Sequence, residues 1–144
     1  MESGSPRRTW VLIALALVAA VYWLAMFAGT HVPLSSTPTN HPYSLDKFLH
    51  AAAFAGLAFL LAAVGWAWGL RSWKLYAGVF AVLALYGLFD EATQALVWNR
   101  NADMADWVAD MVGVALGTTG FVVGRQLVAA ARSVPTGLKS RPKT

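Results

Sequence analysis

The chain has 144 residues, of which 58% are hydrophobic and only 12% are charged, whereas about 25% of the residues in an ordinary soluble domain are charged. A soluble domain of this size could not bury so much apolar surface, and a disordered chain would be far less hydrophobic, so this composition excludes both classes and indicates an integral membrane protein. The absence of cysteine excludes disulfide bonds, thiolate zinc sites and cysteine nucleophiles.

Four apolar stretches approach the length of about 20 residues that a helix needs to cross a bilayer. They predict transmembrane helices at about residues 10–28, 48–70, 75–98 and 106–130. The first stretch follows Arg7 and Arg8, as in a signal peptide, but it is longer than the roughly 7–15 apolar residues of such peptides. We therefore expect an uncleaved helix.

The segments between the apolar stretches predict how the helices are connected. Residues 29–45 are rich in proline, serine and threonine and are expected to form an outer loop. Short turns at 71–74 and 99–105 make neighbouring helices antiparallel. The sequence thus predicts an all-α fold, in which residues 1–132 form a single domain, an antiparallel four-helix transmembrane bundle, and residues 133–144 form a disordered basic tail.

The basic residues predict the orientation of the bundle. Nine of the eleven lie in segments on the same side as the N-terminus, and the outer segments hold only Lys47 and Arg100. Because cytoplasmic loops carry the excess of lysine and arginine, both termini are expected in the cytoplasm. The tail lacks interleaved aromatic residues, so it is interpreted as a topology signal and not as a nucleic-acid-binding segment.

Charged and polar side chains occur near the outer ends of three predicted spans, although a charged group inside a span costs about 2.5–3.5 kcal/mol on insertion scales. Spacings of three or four residues put the polar residues of each span on one helix face. Tyr86 shares this face with the polar residues of the third span. With a rise of about 1.5 Å per residue, the three sets reach a similar depth in the outer leaflet. This predicted polar layer consists of Asp46, Lys47, His50, Asp90, Glu91, Gln94, Arg100, Asp106 and Asp110, with Asp103 beside it.

A stripe of glycines continues the acidic face of the fourth span. Gly113, Gly117, Gly120 and Gly124 are spaced four, three and four residues apart. Such spacing lets a neighbouring helix approach closely in a membrane, so these glycines are predicted to pack against another helix. The second span, with small residues across 51–58, is the expected partner.

Three elements, in this order, resemble the VanZ-like family. They are Asp46-Lys47-x-x-His50, Asp90-Glu91-x-x-Gln94, and Arg100 followed by Asp106, Asp110 and Gly113. The resemblance covers about residues 45–120 and implies a small bacterial membrane protein of the cell envelope, with no settled reaction. The founding member is associated with low-level resistance to the glycopeptide teicoplanin. The chain departs from the family pattern at Asp110, where many members carry asparagine, and at Trp98-Asn99, where they carry Pro-Gly.

Two interpretations of the polar layer involve no catalysed reaction. In the first, Lys47, Arg100 and Gln94 neutralise or bridge the carboxylates and lock the helices together, although interhelical hydrogen bonds in membranes average only about 0.6 kcal/mol. In the second, the layer binds a lipid headgroup, a lipid-linked envelope precursor or a cation. Six acidic residues there face only two fixed positive charges and His50, so a cation or protons must offset the excess negative charge.

A third interpretation is a metal-dependent membrane enzyme acting on a lipid-linked phosphate, in which a divalent ion activates water. Alternatively, His50 oriented by Asp46 could act as a general base. Catalytic residues, any cofactor beyond a divalent cation, and a homo-oligomeric state all stay open. The candidate metal ligands, chosen for their oxygen and nitrogen donors, are Asp90, Glu91, Asp106, Asp110 and His50.

Three further ionisable residues are expected to have no part in the site. His31 and His41 lie in the proline-rich loop and are predicted to be solvated instead of binding a metal. Arg125 lies near the inner end of the fourth span, where its side chain is predicted to extend to the lipid headgroups.

Overall fold

A computed structural model describes residues 6–32, 43–98, 100 and 102–133, and this part of the chain contains helices and no strand. The helices are α1 (Pro6–Thr30), α2 (Tyr43–Trp68), α3 (Trp73–Gln94) and α4 (Met104–Ser133). Each is long and apolar enough to cross a membrane, and together they pack into one bundle. The predicted fold class, a four-helix integral membrane protein, is confirmed.

The helix ends differ from the predicted bounds. The first helix continues to Thr30 and the second begins at Tyr43, because polar residues outside the apolar stretch still form helical hydrogen bonds. The third ends at Gln94, and the amides of Leu96 and Val97 bond three residues back instead of four. Hydropathy marks the part of a helix inside the bilayer, whereas the backbone hydrogen bonds decide where the helix stops.

Contacts between α1 and α2 fix how these two helices pass each other. The Arg8 guanidinium approaches the carbonyl of Ala67, and the Tyr22 hydroxyl donates a hydrogen bond of 3.0 Å to the carbonyl of Ala53. A Cβ added at Gly56 would collide with the Tyr22 hydroxyl. As residue numbers increase along α1, the residue numbers of their contact partners on α2 decrease. The C-terminal end of α1 therefore lies beside the N-terminal end of α2.

The interface between α2 and α4 is a backbone-to-backbone contact. A Cβ added at Gly113 would collide with the carbonyl of Ala51, and one added at Gly117 would collide with the carbonyl of Ala55. Glycine is required at both positions because only the absence of a side chain allows helices to approach this closely. This close approach brings the N-terminal ends of α2 and α4 together.

The predicted glycine stripe needs a correction beyond Gly117. Nothing lies within 4 Å of a Cβ added at Gly120 or Gly124, so in the described chain neither packs against another helix. The next position on the interface, four residues after Gly117, is Phe121. Its ring meets Phe59 edge to face with centroids 5.5 Å apart, and two rings of this size hold the helices farther apart.

The middle of the bundle is an apolar core. Phe54, Leu57, Leu83 and Val114 are almost completely buried there. Large apolar side chains also cover the outer surface, for example Leu85 and many others, which suits a surface that contacts lipid and would be unusual for a soluble monomer. The predictions for the basic tail and for His41 concern residues outside those the structure describes.

Candidate functional site

Polar residues collect at one end of the bundle, where α2 and α4 begin and α3 ends. Two of them, Asp90 and Asp110, have no exposed surface at all, whereas Asp46 is exposed and Lys47 and Arg100 are half-buried. The structure brings the members of the predicted layer into two sets with separate contacts. The buried members of this polar cluster are His50, Asp90, Glu91, Gln94, Asp106 and Asp110.

The first set, here called the Asp90 network, has a donor for each oxygen of its central carboxylate. Asp90 Oδ1 accepts hydrogen bonds from the Thr30 hydroxyl at 3.1 Å and the Tyr86 hydroxyl at 3.2 Å. Its Oδ2 accepts a bond of 2.7 Å from the Gln94 amide. The Arg100 guanidinium donates to Gln94 Oε1 at 2.9 Å. The carboxylate therefore ties α1 to α3 at this end of the bundle.

Residues of α1 in this network are absent from the predicted layer. His31, which was predicted to be solvated, is half-buried: its Nε2 lies 2.9 Å from the Thr93 hydroxyl and its Nδ1 lies 3.9 Å from Asp90 Oδ1. Its ring stacks on Phe27 with centroids 3.9 Å apart. The prediction fails because α1 continues to Thr30, which carries the following histidine against α3. The sequence signal that could have predicted this contact is the polar pair Thr30-His31 directly after the first apolar stretch.

The outer edge of the second set joins the start of α2 to the start of α4. Lys47 Nζ donates to Asp103 Oδ2 at 2.7 Å and to Asp106, and it lies 3.4 Å from Asp46 Oδ2. The Lys47 side chain is 17% exposed. Carboxylates in the first turn of a helix are favoured by the helix dipole, so Asp46 and Asp106 occupy electrostatically suitable positions.

The start of α4 is held by a side chain from α3. Asp103 Oδ1 accepts a hydrogen bond from the Ala105 amide at 2.9 Å, as an N-cap residue does. The Asp103 amide itself donates to Glu91 Oε2 at 2.8 Å. Glu91 thus satisfies one backbone group at the helix end with one oxygen and keeps the other oxygen for a different partner.

The interior of the second set, here called the His50 group, consists of His50, Glu91 and Asp110. His50 Nδ1 lies 3.0 Å from Asp110 Oδ1, and its Nε2 lies 3.9 Å from Asp106 Oδ1. Asp110 Oδ2 and Glu91 Oε1 are buried without a hydrogen-bond partner among the described residues. Leaving a buried acceptor unpaired costs about 1–3 kcal/mol, and more when it is charged.

Gly87 on α3 provides the space for the Asp110 carboxylate. A Cβ at this position would lie 3.2 Å from Asp110 Oδ2 and 3.1 Å from the Trp107 ring. The Trp107 indole donates to the carbonyl of Ala84 at 3.0 Å, so the tryptophan cannot move away freely. The backbone of α3 therefore approaches the unpaired oxygen, but it supplies no donor to it.

Two overlapping groups of side chains have the spacing of metal ligands. The His50 group offers three ligand atoms within 4.8 Å of one another, and so do Asp46, His50 and Asp106. Four of the five predicted metal ligands belong to these groups. The fifth, Asp90, lies outside these groups, and hydrogen bonds already occupy both of its oxygens.

A cavity of about 300 Å³ lies between α1 and α2 at the same end of the bundle, and we call it the α1–α2 cleft. One part of its wall is apolar, and the other carries the His50 imidazole, Asp46 and the Arg100 guanidinium. The lining residues are Met26, Gly29, Thr30, Asp46, Leu49, His50, Ala53, Phe54 and Arg100.

Arg125 lies at the other end of the bundle, where its side chain contacts an aromatic ring, and its extension to the lipid headgroups stays a prediction. Its guanidinium carbon lies 4.0 Å from the centre of the Trp66 ring, and that of Arg71 lies 5.0 Å from the same centre. Cation–π contacts of this kind stabilise a cation near an apolar surface. Arg125 therefore packs against Trp66. This end of the bundle carries positive charge, whereas the end with the polar cluster is acidic.

Comparison with known proteins agrees with the resemblance read from the polar motifs. The VanZ/LLP1 family model matches residues 8–125, a range that includes the whole polar cluster. No curated protein and no solved structure gives a significant match. Because the family model covers most of the chain and four membrane-spanning helices accompany it, the chain belongs to the VanZ/LLP1 family of membrane proteins.

Proposed function

We propose that this VanZ/LLP1-family protein binds the phosphate-bearing headgroup of an envelope lipid in the α1–α2 cleft. The observation that carries this proposal is the composition of the cleft wall, which joins apolar side chains to a charged end. Membrane lipids have the same division between an acyl chain and a polar headgroup. A volume of about 300 Å³ is at the lower end of the roughly 300–1,000 Å³ of small-molecule sites, which suits a headgroup and not a whole lipid.

Arg100 supplies the positive charge for an anionic headgroup. Its Nε donates to the carbonyl of Val32 and its Nη1 to Gln94 Oε1, both uncharged acceptors. No carboxylate of the described chain lies within ion-pairing distance of its guanidinium. A guanidinium held in place by neutral acceptors keeps its full charge, and its planar donors match a phosphate group well.

Met26, Leu49 and Phe54 form the part of the cleft that would contact the first methylene groups of an acyl chain. They come from the two helices that enclose the cavity, and no charged side chain lies among them. Contact with these side chains removes little water, since both they and the acyl chain already lie in the apolar bilayer and out of contact with water. Specificity therefore comes from the headgroup and from Arg100.

The proposal includes the bacterial cytoplasmic membrane as the location, with both termini in the cytoplasm. The strong bias of basic residues toward the side of the N-terminus supports this orientation. The polar cluster then faces outward, where glycopeptides and lipid-linked wall precursors are found. A changed susceptibility to teicoplanin is the cellular effect that we propose for a protein that binds such a lipid.

Lipid binding by the purified full chain tests the molecular part of the proposal. Native mass spectrometry with added phosphatidylglycerol or polyprenyl phosphate should show a bound lipid, and which of the two binds distinguishes a bulk phospholipid from a carrier of wall precursors. Arg100→Gln should weaken binding because it removes the charge. Gly29→Leu should also weaken it, since a side chain at Gly29 meets no neighbour within 4 Å and extends from the wall of the cleft.

Gly78→Leu is the matched control for the filled cleft. Gly78 also has nothing within 4 Å of an added Cβ, and it lies on α3 away from the cavity. Equal binding by the wild type, Arg100→Gln and Gly29→Leu would contradict the proposal. In cells, a deletion strain complemented with the same variants should regain wild-type teicoplanin susceptibility only with the variants that bind lipid.

A further inference from the structure

The unpaired oxygens of the His50 group indicate a ligand that the headgroup proposal does not use. Asp110 has no exposed surface and Glu91 is 5% exposed, yet each keeps one buried oxygen without a hydrogen-bond partner among the described residues. In the Asp90 network, whose central carboxylate belongs to the residue next to Glu91 on α3, no carboxylate oxygen is unpaired. The protein thus satisfies one buried acid and leaves two others available.

The geometry of the group is suited to a metal ion. One atom each from His50, Glu91 and Asp110 lies within 4.8 Å of the others, and the three residues come from α2, α3 and α4. A metal with ligands at about 2.0–2.2 Å can join atoms at this spacing after small rotations of the side chains. Because the residues belong to three different helices that pack closely, the site is formed by the fold and not by a flexible loop.

Charge balance also points to a cation. The ammonium group of Lys47, at the same end of the bundle, forms ion pairs with Asp103 and Asp106. No arginine or lysine of the described chain forms an ion pair with Glu91 or Asp110. Two carboxylates match the double positive charge of a divalent ion, and such an ion would also relieve the cost of the unpaired oxygens.

We infer that His50, Glu91 and Asp110 bind a divalent transition-metal ion such as Mn²⁺ or Zn²⁺ between α2, α3 and α4. An imidazole nitrogen together with two carboxylates favours these ions over Mg²⁺ and Ca²⁺, which prefer oxygen ligands alone. Asp106 Oδ1 lies 3.9 Å from His50 Nε2, which is too far for a hydrogen bond. The inference shares His50 with the cleft but does not depend on lipid binding, because Glu91 and Asp110 are not among the residues that line the cleft.

Binding of Mn²⁺ by the purified full chain in detergent is the direct test. After treatment with a chelator, the protein should bind added Mn²⁺, seen as loss of the free-ion signal in electron paramagnetic resonance, and its thermal unfolding temperature should rise because the ion binds only the folded state. Added Zn²⁺ should compete. Glu91→Gln and Asp110→Asn should each weaken binding by about tenfold or more, since even residues that merely orient metal ligands contribute that much.

Asp90→Asn and Asp103→Asn are the matched controls. Both remove a neighbouring carboxylate that is not in the group, one buried and one partly exposed, and both should bind Mn²⁺ as the wild type does. A wild-type protein that binds neither Mn²⁺ nor Zn²⁺ overturns the inference and leaves protons to neutralise the group. Wild-type affinity in both Glu91→Gln and Asp110→Asn would overturn it as well, and the wild-type measurement decides the matter even if a variant fails to fold.

Discussion

The Asp90 network and the His50 group lie at the same end of one bundle and use the same residue types, but they differ in how their carboxylates are satisfied. Asp90 receives three donors from Thr30, Tyr86 and Gln94. Asp110 receives one contact, from His50, and keeps one buried oxygen unpaired. Equal burial with unequal satisfaction separates a structural acid from one that is available to a ligand. Burial alone would not distinguish them.

The largest effect is expected when the helices that carry the His50 group are forced apart. A leucine at Gly113 would collide with the carbonyl of Ala51, and a backbone group cannot rotate away as a side chain can. Overpacking usually costs about 1–3 kcal/mol, so Gly113→Leu should reach at least the upper end of this range and lower the folded yield. Thermal unfolding in detergent measures the change.

Gly120→Leu is the control for this substitution, because nothing lies within 4 Å of an added Cβ at Gly120. It should leave the unfolding temperature close to that of the wild type. A comparable loss in both variants would mean that α4 packs against a partner along its whole glycine stripe, as the sequence predicted.

The next largest effect separates the two acids directly. Asp90→Ala removes the acceptor for three donors and should destabilise the protein by about 1–3 kcal/mol. Asp110→Asn, measured with a chelator present, should be neutral or stabilising because it removes a buried charge whose second oxygen has no partner. Denaturation in mixed micelles compares the two, and an equal loss of stability would remove the distinction between network and group.

The sequence predicts which residues gather at this end but not which of them are satisfied. Carboxylates at helical spacing inside apolar stretches are enough to predict the polar layer, and the VanZ-like motifs add Arg100 to it. The donors to Asp90 include Thr30, the last residue of α1, and residues 10–29 before it contain no charged residue and no serine, threonine, asparagine or glutamine. The contact of Thr30 with Asp90 depends on the rotation of α1 against α3, and hydropathy contains no information about that rotation.

The glycine stripe illustrates a similar limit. A spacing of four, three and four residues describes an idealised straight seam, and Gly113 and Gly117 follow it. Beyond Gly117, the contact between the rings of Phe59 and Phe121 replaces the close backbone packing of α2 and α4. Since this outcome depends on how large side chains from two helices meet, the pattern of small residues on one helix cannot predict where close packing stops.

A smaller effect is expected when α1 loses its bond to the Asp90 network. Thr30→Val keeps the shape of the side chain and removes the hydroxyl that donates to Asp90 Oδ1. The loss should be near the average of about 0.6 kcal/mol for interhelical hydrogen bonds in membranes. Thr118→Val is the control, since the Thr118 hydroxyl bonds only to carbonyls of its own helix. If both variants lose the same stability, the bond between α1 and α3 contributes nothing of its own.

The smallest effect is expected at the outer edge of the second set, where Lys47 pairs with Asp103 and where water and salt reach the ion pairs. Asp103→Asn removes the charge that faces Lys47, whereas the amide oxygen of asparagine can still accept from the Ala105 amide as an N-cap. Because the Asp103 side chain is 39% exposed, the loss should stay below about 0.5 kcal/mol, and it should shrink as added salt screens the pair. Unfolding of both proteins at low and high ionic strength measures this. A loss that salt does not change would show that the pair of Lys47 and Asp103 is shielded from solvent, and the contrast between an exposed edge and a buried interior would fail.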